Sequence, residues 1–260
     1  MEDNTLDFNF WPSFSDLMLT LVLILVIVVF AVIAAFSIGT DGLREELTKT
    51  KEKMAEIEEE QKEIAEAIAE VEKKQKALIE AIAAAYGVKE NEGNDPDSFE
   101  IRLEGNDDTK ILIRNEATLQ RYSFSDRILF EPDRYDLKEE GKRTLQVVGR
   151  KIKEKLEGIK EIQIQGHADP DPPAYVPSNL HLAALRAIEV YKFLQRSISI
   201  DPARYLMSAT SFGEYKPVKR SDDGPYNRQK LRQHNRARAL KAENRRIEIL
   251  LFYRLEKTAP

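Results

Sequence analysis

Uncharged, almost wholly apolar residues run from Leu17 to Ile38, interrupted only by Thr20 and Ser37. That stretch meets the roughly 20 residues a helix needs to cross the hydrocarbon core of a bilayer. It predicts a transmembrane helix over residues 17–38, and it is too long for the core of a cleaved leader. After Gly39 and Gly42 the pattern changes. Leu43, Leu47, Thr50, Met54, Ile57, Gln61, Ile64, Ile68, Val71, Gln75, Leu78, Ile82 and Ala85 follow one another at alternating steps of four and three. Such a seam on an otherwise charged helix predicts a coiled-coil stalk over 43–86, paired as a parallel homodimer, with Thr50, Gln61 and Gln75 fixing register. A single charged helix laid against the C-terminal domain, or a solvated spacer helix, is the competing reading. The turn-rich stretch Asn91-Glu92-Gly93-Asn94-Asp95-Pro96 marks a linker over 87–97.

From residue 98 to 256 strands and helices alternate. Phe99–Leu103 and Lys110–Arg114 read as strands around a turn at Gly105–Asp108. Leu137–Leu156 and Leu180–Gln195 read as helices, and Ile159–Gln165 and Ile247–Tyr253 as further strands. The fold class expected is α+β: an N-terminal spanning helix, a long coiled-coil helix and a C-terminal α/β sandwich.

Charge and chemistry refine this picture in a few places. The formal net charge is −5, with 40 Lys and Arg against 45 Asp and Glu, so no partner class follows from the total. Cysteine is absent, which removes disulfides, thiol nucleophiles and Cys-based metal sites. His167, His181 and His234 have no metal-ligand spacing. No phosphate loop or nucleophile–base pair appears, so neither enzyme activity, cofactor nor metal is expected. The basic run Arg228–Arg238 lacks interleaved aromatics and reads as a solvated surface segment rather than a nucleic-acid site.

Asp16 is the exception to the apolar N-terminus. Phe8, Phe10, Trp11 and Phe14 precede it like an interfacial aromatic belt. An ionisable group just inside a span is costly and marks a functional position. It could equally cap the helix together with Ser13 and Ser15. Thr20, one turn on, shares its face. The first sixteen residues carry Glu2, Asp3, Asp7 and Asp16 but no Lys or Arg, whereas Arg44, Lys49, Lys51 and Lys53 follow the span. That bias weakly favours a cytoplasmic C-terminal side.

Several segments resemble a known family in the order the family has them. Ile128-Leu129-Phe130-Glu131-Pro132 with Leu137–Gly141, Ile162–Gly166 with His167-Ala168-Asp169, Asn179–Ala187, and Phe212-Gly213-Glu214 with Asn244–Ile249 resemble the motifs of OmpA-like domains. The resemblance implies a peptidoglycan-binding module that holds the diaminopimelate of the stem peptide. Asp169 would take the ammonium and Arg186 the carboxylate, supported by Asn179, Asn244 and Arg245. An Arg fork suits a carboxylate because it can bind both oxygens. An internal Asp169–Arg186 salt bridge is the alternative. Pro170–Tyr175 replaces a shorter Gly-containing loop, and Ala168 and Ala184 stand where hydroxyl residues are common.

The whole arrangement resembles the B subunits of ion-driven rotary stators, flagellar MotB and more closely the ZorB subunit of Zorya anti-phage systems. That resemblance implies Asp16 as the carrier of a proton or sodium ion, with Thr20 assisting. It implies a ring of multi-pass MotA- or ZorA-like subunits around a homodimer, peptidoglycan, and cytosolic defence effectors as partners. It places the chain in a bacterial inner membrane, N-terminus cytoplasmic and C-terminal domain periplasmic, against the weak charge bias. A passive membrane-to-wall tether or a flagellar role explains many of the same features.

Overall fold

The computed structural model describes residues 11–87, 91–92, 97–103, 110–220 and 227–255, with only the backbone of 11–14, 37–42 and 91–92. The acidic tail, Phe8 and Phe10 of the aromatic belt, the turn at 105–108 and most of the linker lie outside the described residues. Two compact units divide at Lys62 and Glu63, and helix α1 (Trp11–Ala85) contributes to both.

In the first unit α1 holds the membrane candidate, Ser15–Phe36, the one helix among the described residues long and apolar enough to cross a bilayer. Its side chains are exposed, as are the seam positions Leu43, Leu47, Met54 and Ile57 that follow. The helix already runs from Trp11, so Asp16 lies more than a turn inside it. The capping role weighed for Asp16, Ser13 and Ser15 is therefore corrected: a cap residue must precede the first helical turn.

The second unit begins inside the predicted stalk. Ala67, Val71, Leu78, Ile79, Ile82 and Ala83 of α1 are buried. Most of them share one core with the sheet and with two later helices, α3 (Glu139–Glu154) and α4 (Asn179–Arg196). At these positions the partner is the chain's own domain, not a second helix. The reason is a wider apolar face: Ile79 and Ala83 stand beside Val71, Leu78 and Ile82, giving a band suited to a sheet rather than a narrow seam. Gln75 likewise sits in a buried polar network instead of setting an oligomer register. Its amide donates to the Glu116 carbonyl (3.0 Å), and its own carbonyl accepts from Gln120 (3.0 Å).

The sheet contains β1 (Asn91–Glu92), β2 (Ser98–Arg102), β3 (Lys110–Glu116), β4 (Leu119–Ser125), β5 (Ile159–His167), β6 (Leu206–Gly213) and β7 (Arg246–Tyr253), in the order β1-β2-β3-β4-β7-β5-β6. Among the described strands only β5 and β6 pair in parallel. Inward positions alternate with outward ones in β3 and β4, whereas Ile247–Leu251 of the central β7 are buried without a break. Ile111, Ile113, Tyr122, Phe124, Ile162, Ile164, Ile249 and Leu251 are fully buried. Helices α2 (Asp126–Leu129), α5 (Arg228–His234) and α6 (Arg238–Asn244) complete the domain. The basic segment read as solvated surface thus forms α5 and leads into α6, anchored by Leu231 and Asn235, both buried.

Candidate functional site

Three elements bring their ends together at one cavity of about 630 Å³. Strand β5 delivers Asp169 just past its last residue. Helix α4 sets Arg186 two turns from its start, and the junction of α6 with β7 supplies Arg245. Gly166 lets strand and helix meet closely, because a Cβ there would stand 2.0 Å from the carbonyl oxygen of Ala183. Ser178 caps α4, accepting from the His181 N–H, and so fixes where the helix begins.

Asp169 is buried and tightly held. Its Oδ1 accepts from the Asp171 N–H (2.9 Å), its Oδ2 takes the Arg245 guanidinium, and the Asn179 amide donates to its carbonyl (2.9 Å). Arg186 is only 2% exposed. Its Nε donates to the Arg134 carbonyl (2.9 Å), its Nη1 to Asp126 Oδ2 (3.2 Å), and its plane lies 5.0 Å from the centre of the Phe130 ring. Arg245 Nε also approaches Asp126 Oδ2, at 3.4 Å. The four charges form a chain, Asp169–Arg245–Asp126–Arg186. The direct Asp169–Arg186 bridge considered from the sequence is replaced by this longer path.

Burial raises the Asp126 carboxyl above its ordinary range, although Arg186 and Arg245 pull the other way. Burial likewise lowers Arg186, opposed by Asp126. Burial would also lower Arg245, but Asp126 and Asp169 outweigh it and hold that guanidinium more firmly charged. Two anions and two cations in a low-dielectric recess suit a ligand group that itself carries both signs.

Asp169, Arg186, Asn179 and Arg245 all line the cavity. Asn244 does not reach it. Its amide oxygen accepts from the Val218 N–H (2.7 Å) and its nitrogen donates to Asn235 (2.7 Å), so it pins the loop after β6 to the turn between α5 and α6. Asp126 was missed by sequence reasoning because it belongs to no family motif. The available signal was an acid four residues before Phe130, where the strand pattern breaks. The proline-rich loop forms one wall through Asp171, Pro172 and Pro173, and Lys241 of α6 ties it down with two 2.7 Å contacts to Asp171.

At the N-terminal site, Asp16 and Thr20 do share a helix face, and the Thr20 hydroxyl donates to the Asp16 carbonyl oxygen. His167, by contrast, is a core residue. It is stacked on Phe212 at 5.4 Å, with Nε2 3.5 Å from Glu248.

Residues 129–232, less than half of the chain, match the model of the OmpA family. Among curated proteins none matches the sequence. Among solved structures, a MotB-like protein from Desulfovibrio vulgaris is 20% identical, with a TM-score of 0.53 over 75% of this chain and 99% of that one. The periplasmic domain of Helicobacter pylori MotB is 18% identical over 59% of this chain and 87% of that one, TM-score 0.46. The cell-wall anchor of the type VI secretion system from Pseudomonas aeruginosa is 21% identical over 55% and 88%, TM-score 0.43. The C-terminal domain of this chain is an OmpA-like domain with the fold of the MotB-like protein.

Proposed function

We propose that this chain is the wall-anchored B subunit of an ion-driven rotary stator, with Asp16 carrying the ion and the C-terminal domain holding peptidoglycan. The observation that carries the wall-binding half is the buried Asp169–Arg245–Asp126–Arg186 chain facing the cavity. A diaminopimelate end offers an ammonium and a carboxylate at fixed separation, and these four groups offer partners for both.

The N-terminal half is supported by a carboxylate placed within an apolar helix. Hydrocarbon penalises its ionised form, so loading an ion changes which surroundings the helix prefers. An ion falling through the membrane potential supplies about 2.3 kcal/mol per charge per 100 mV. An anchor in the wall keeps the helix from turning with its ring partner. The exposed seam from Leu43 to Ile64 supports a homodimer joined along that part of α1. The opening Trp11-Pro12-Ser13-Phe14-Ser15-Asp16 favours a Zorya-type defence stator over a flagellar one. A passive tether explains the span and the wall site but gives Asp16 no role.

Co-sedimentation of the full chain with purified peptidoglycan tests the wall-binding half. Asp169→Ala and Arg186→Ala should each remove the chain from the pellet while its unfolding midpoint shows that it still folds. Retained sedimentation would refute the site.

A further inference from the structure

The loop between β5 and α4 is tightly restrained, although none of residues 171–177 is buried. Pro170, Pro172, Pro173 and Pro177 each fix φ, which limits the conformations open to the unbound loop. Asp171 fastens the near end twice. Its N–H donates to Asp169 Oδ1 (2.9 Å), and its carboxylate meets Lys241 Nζ at 2.7 Å. At the far end the Ser178 cap fixes where α4 begins. Surface connections are ordinarily the more mobile parts of a fold, so a loop held this firmly without a core side chain has something to position. Tyr175 stands on it, 75% exposed, more than any other large apolar or aromatic residue described, those of the apolar span included. A lone exposed aromatic on a surface needs no explanation. This one is set on a stiff support beside a cavity: Pro172 and Pro173 form part of the wall, and Tyr175 follows within about 7 Å of chain.

We propose that Tyr175 is a sugar-binding residue, laying its ring against the glycan strand whose stem peptide enters the cavity. The inference rests on the wall-binding reading above and extends it from the peptide to the sugar. A pyranose ring carries C–H groups on its faces and hydroxyls around its rim. An aromatic face can cover the apolar side while the hydroxyls stay in water. Tyrosine suits that contact because it offers a large, rigid, amphipathic surface with few torsions to immobilise. The prolines and the Asp171–Lys241 pair lower the remaining cost, since a loop already ordered loses little freedom on binding. The reach agrees as well. A few extended residues of stem peptide separate diaminopimelate from the sugar, about 10 Å, so a cavity-bound peptide brings its sugar to the rim where Tyr175 stands.

The test is a calorimetric titration of the full chain, in a detergent without sugar headgroups, with two probes that differ only in the glycan. One is a stem peptide ending in meso-diaminopimelate, and the other is the same peptide on its N-acetylglucosamine–N-acetylmuramic acid disaccharide. The wild-type chain should bind the disaccharide peptide about fivefold more tightly, as one well-placed aromatic contact provides. Tyr175→Ala should remove most of that gain and leave the affinity for the bare peptide unchanged. Tyr175→Phe should keep the gain, because the ring and not the hydroxyl makes the contact. Both variants should retain the wild-type unfolding midpoint, since the side chain is exposed. A wild-type chain that binds both probes equally, or a Tyr175→Ala variant that keeps the gain, overturns the inference and leaves the wall-binding reading standing. Equal weakening of both probes by Tyr175→Ala would place the ring against the peptide and also overturn it. A wild-type chain that binds neither probe overturns both readings.

Discussion

Glu248 and His167 sit side by side on the sheet, and their titration links the domain's stability to pH. Burial would raise the Glu248 carboxyl, but His167 beside it and Arg246 outweigh burial and hold it far below the ordinary carboxylate range. Arg121 adds a 2.7 Å contact to Oε2, the oxygen that His167 also approaches. Burial holds His167 below its ordinary value of 6.5, with Arg246 and Lys216 acting in the same sense. The signs agree. Unfolded chains take up protons at these groups before folded ones do, so stability falls as pH falls. The loss begins below about 6.5 for His167 and continues below about 4.5 for Glu248, the ordinary values of the two groups. Chemical denaturation between pH 8 and pH 3 should show this decline. Glu248→Gln should cost about 3 kcal/mol at pH 7, as breaking a buried ion pair does, and should flatten the most acidic limb. An unchanged acid limb in that variant would show that Glu248 does not set it. At this scale the sequence disclosed Asp169, Arg186 and Arg245 because motifs carry them. It concealed Asp126, whose importance comes only from where the end of β4 lies in space. It also suggested a ligand role for Asn244, whose hydrogen bonds hold the loop after β6 to the turn between α5 and α6.

Helix α1 changes character along its length, and the heptad pattern alone could not reveal where. Leu47 and Leu78 both lie on the seam of the repeat, yet Leu47 is 56% exposed and Leu78 is fully buried. The difference comes from the flanking positions. Around Leu78, Ile79 and Ala83 broaden the apolar face, whereas Glu46 and Thr48 flank Leu47. Leu78→Ala should therefore destabilise the C-terminal domain by about 2–5 kcal/mol, the usual cost of a buried leucine truncation. Leu47→Ala should leave its unfolding midpoint unchanged. Equal effects of the two substitutions would contradict the division of the helix. By the same reasoning, the domain's boundary lies near Glu63 rather than at residue 98. Strand β4 shows a related concealment. Gln120 points inward with Tyr122 and Phe124, and a polar residue on the buried face disguises the alternation. It is tolerated because Gln75, Asn115, Tyr122 and Tyr253 satisfy its amide.

At the scale of the whole molecule, the proposed membrane-spanning helix and wall-binding domain ask for a function that needs both. The apolar stretch of α1 was legible as an uncharged run and the OmpA-like domain as ordered motifs, because length and motif order are properties of sequence. What the pattern could not show is whether Asp16 merely starts the helix. The backbone places it beyond the first turn, which removes the cap and leaves an acid within an apolar helix. Ion carriage is the use that a stator would make of it, and it separates a motor subunit from a passive tether. The most direct measurement is ion flux into membrane vesicles holding the chain together with its ring-forming partner, wild type against Asp16→Asn. That substitution keeps the side chain's size and removes its ability to titrate. The account predicts flux reduced to background while the variant still assembles and still sediments with peptidoglycan. Flux at the wild-type level from an assembled Asp16→Asn complex would contradict it.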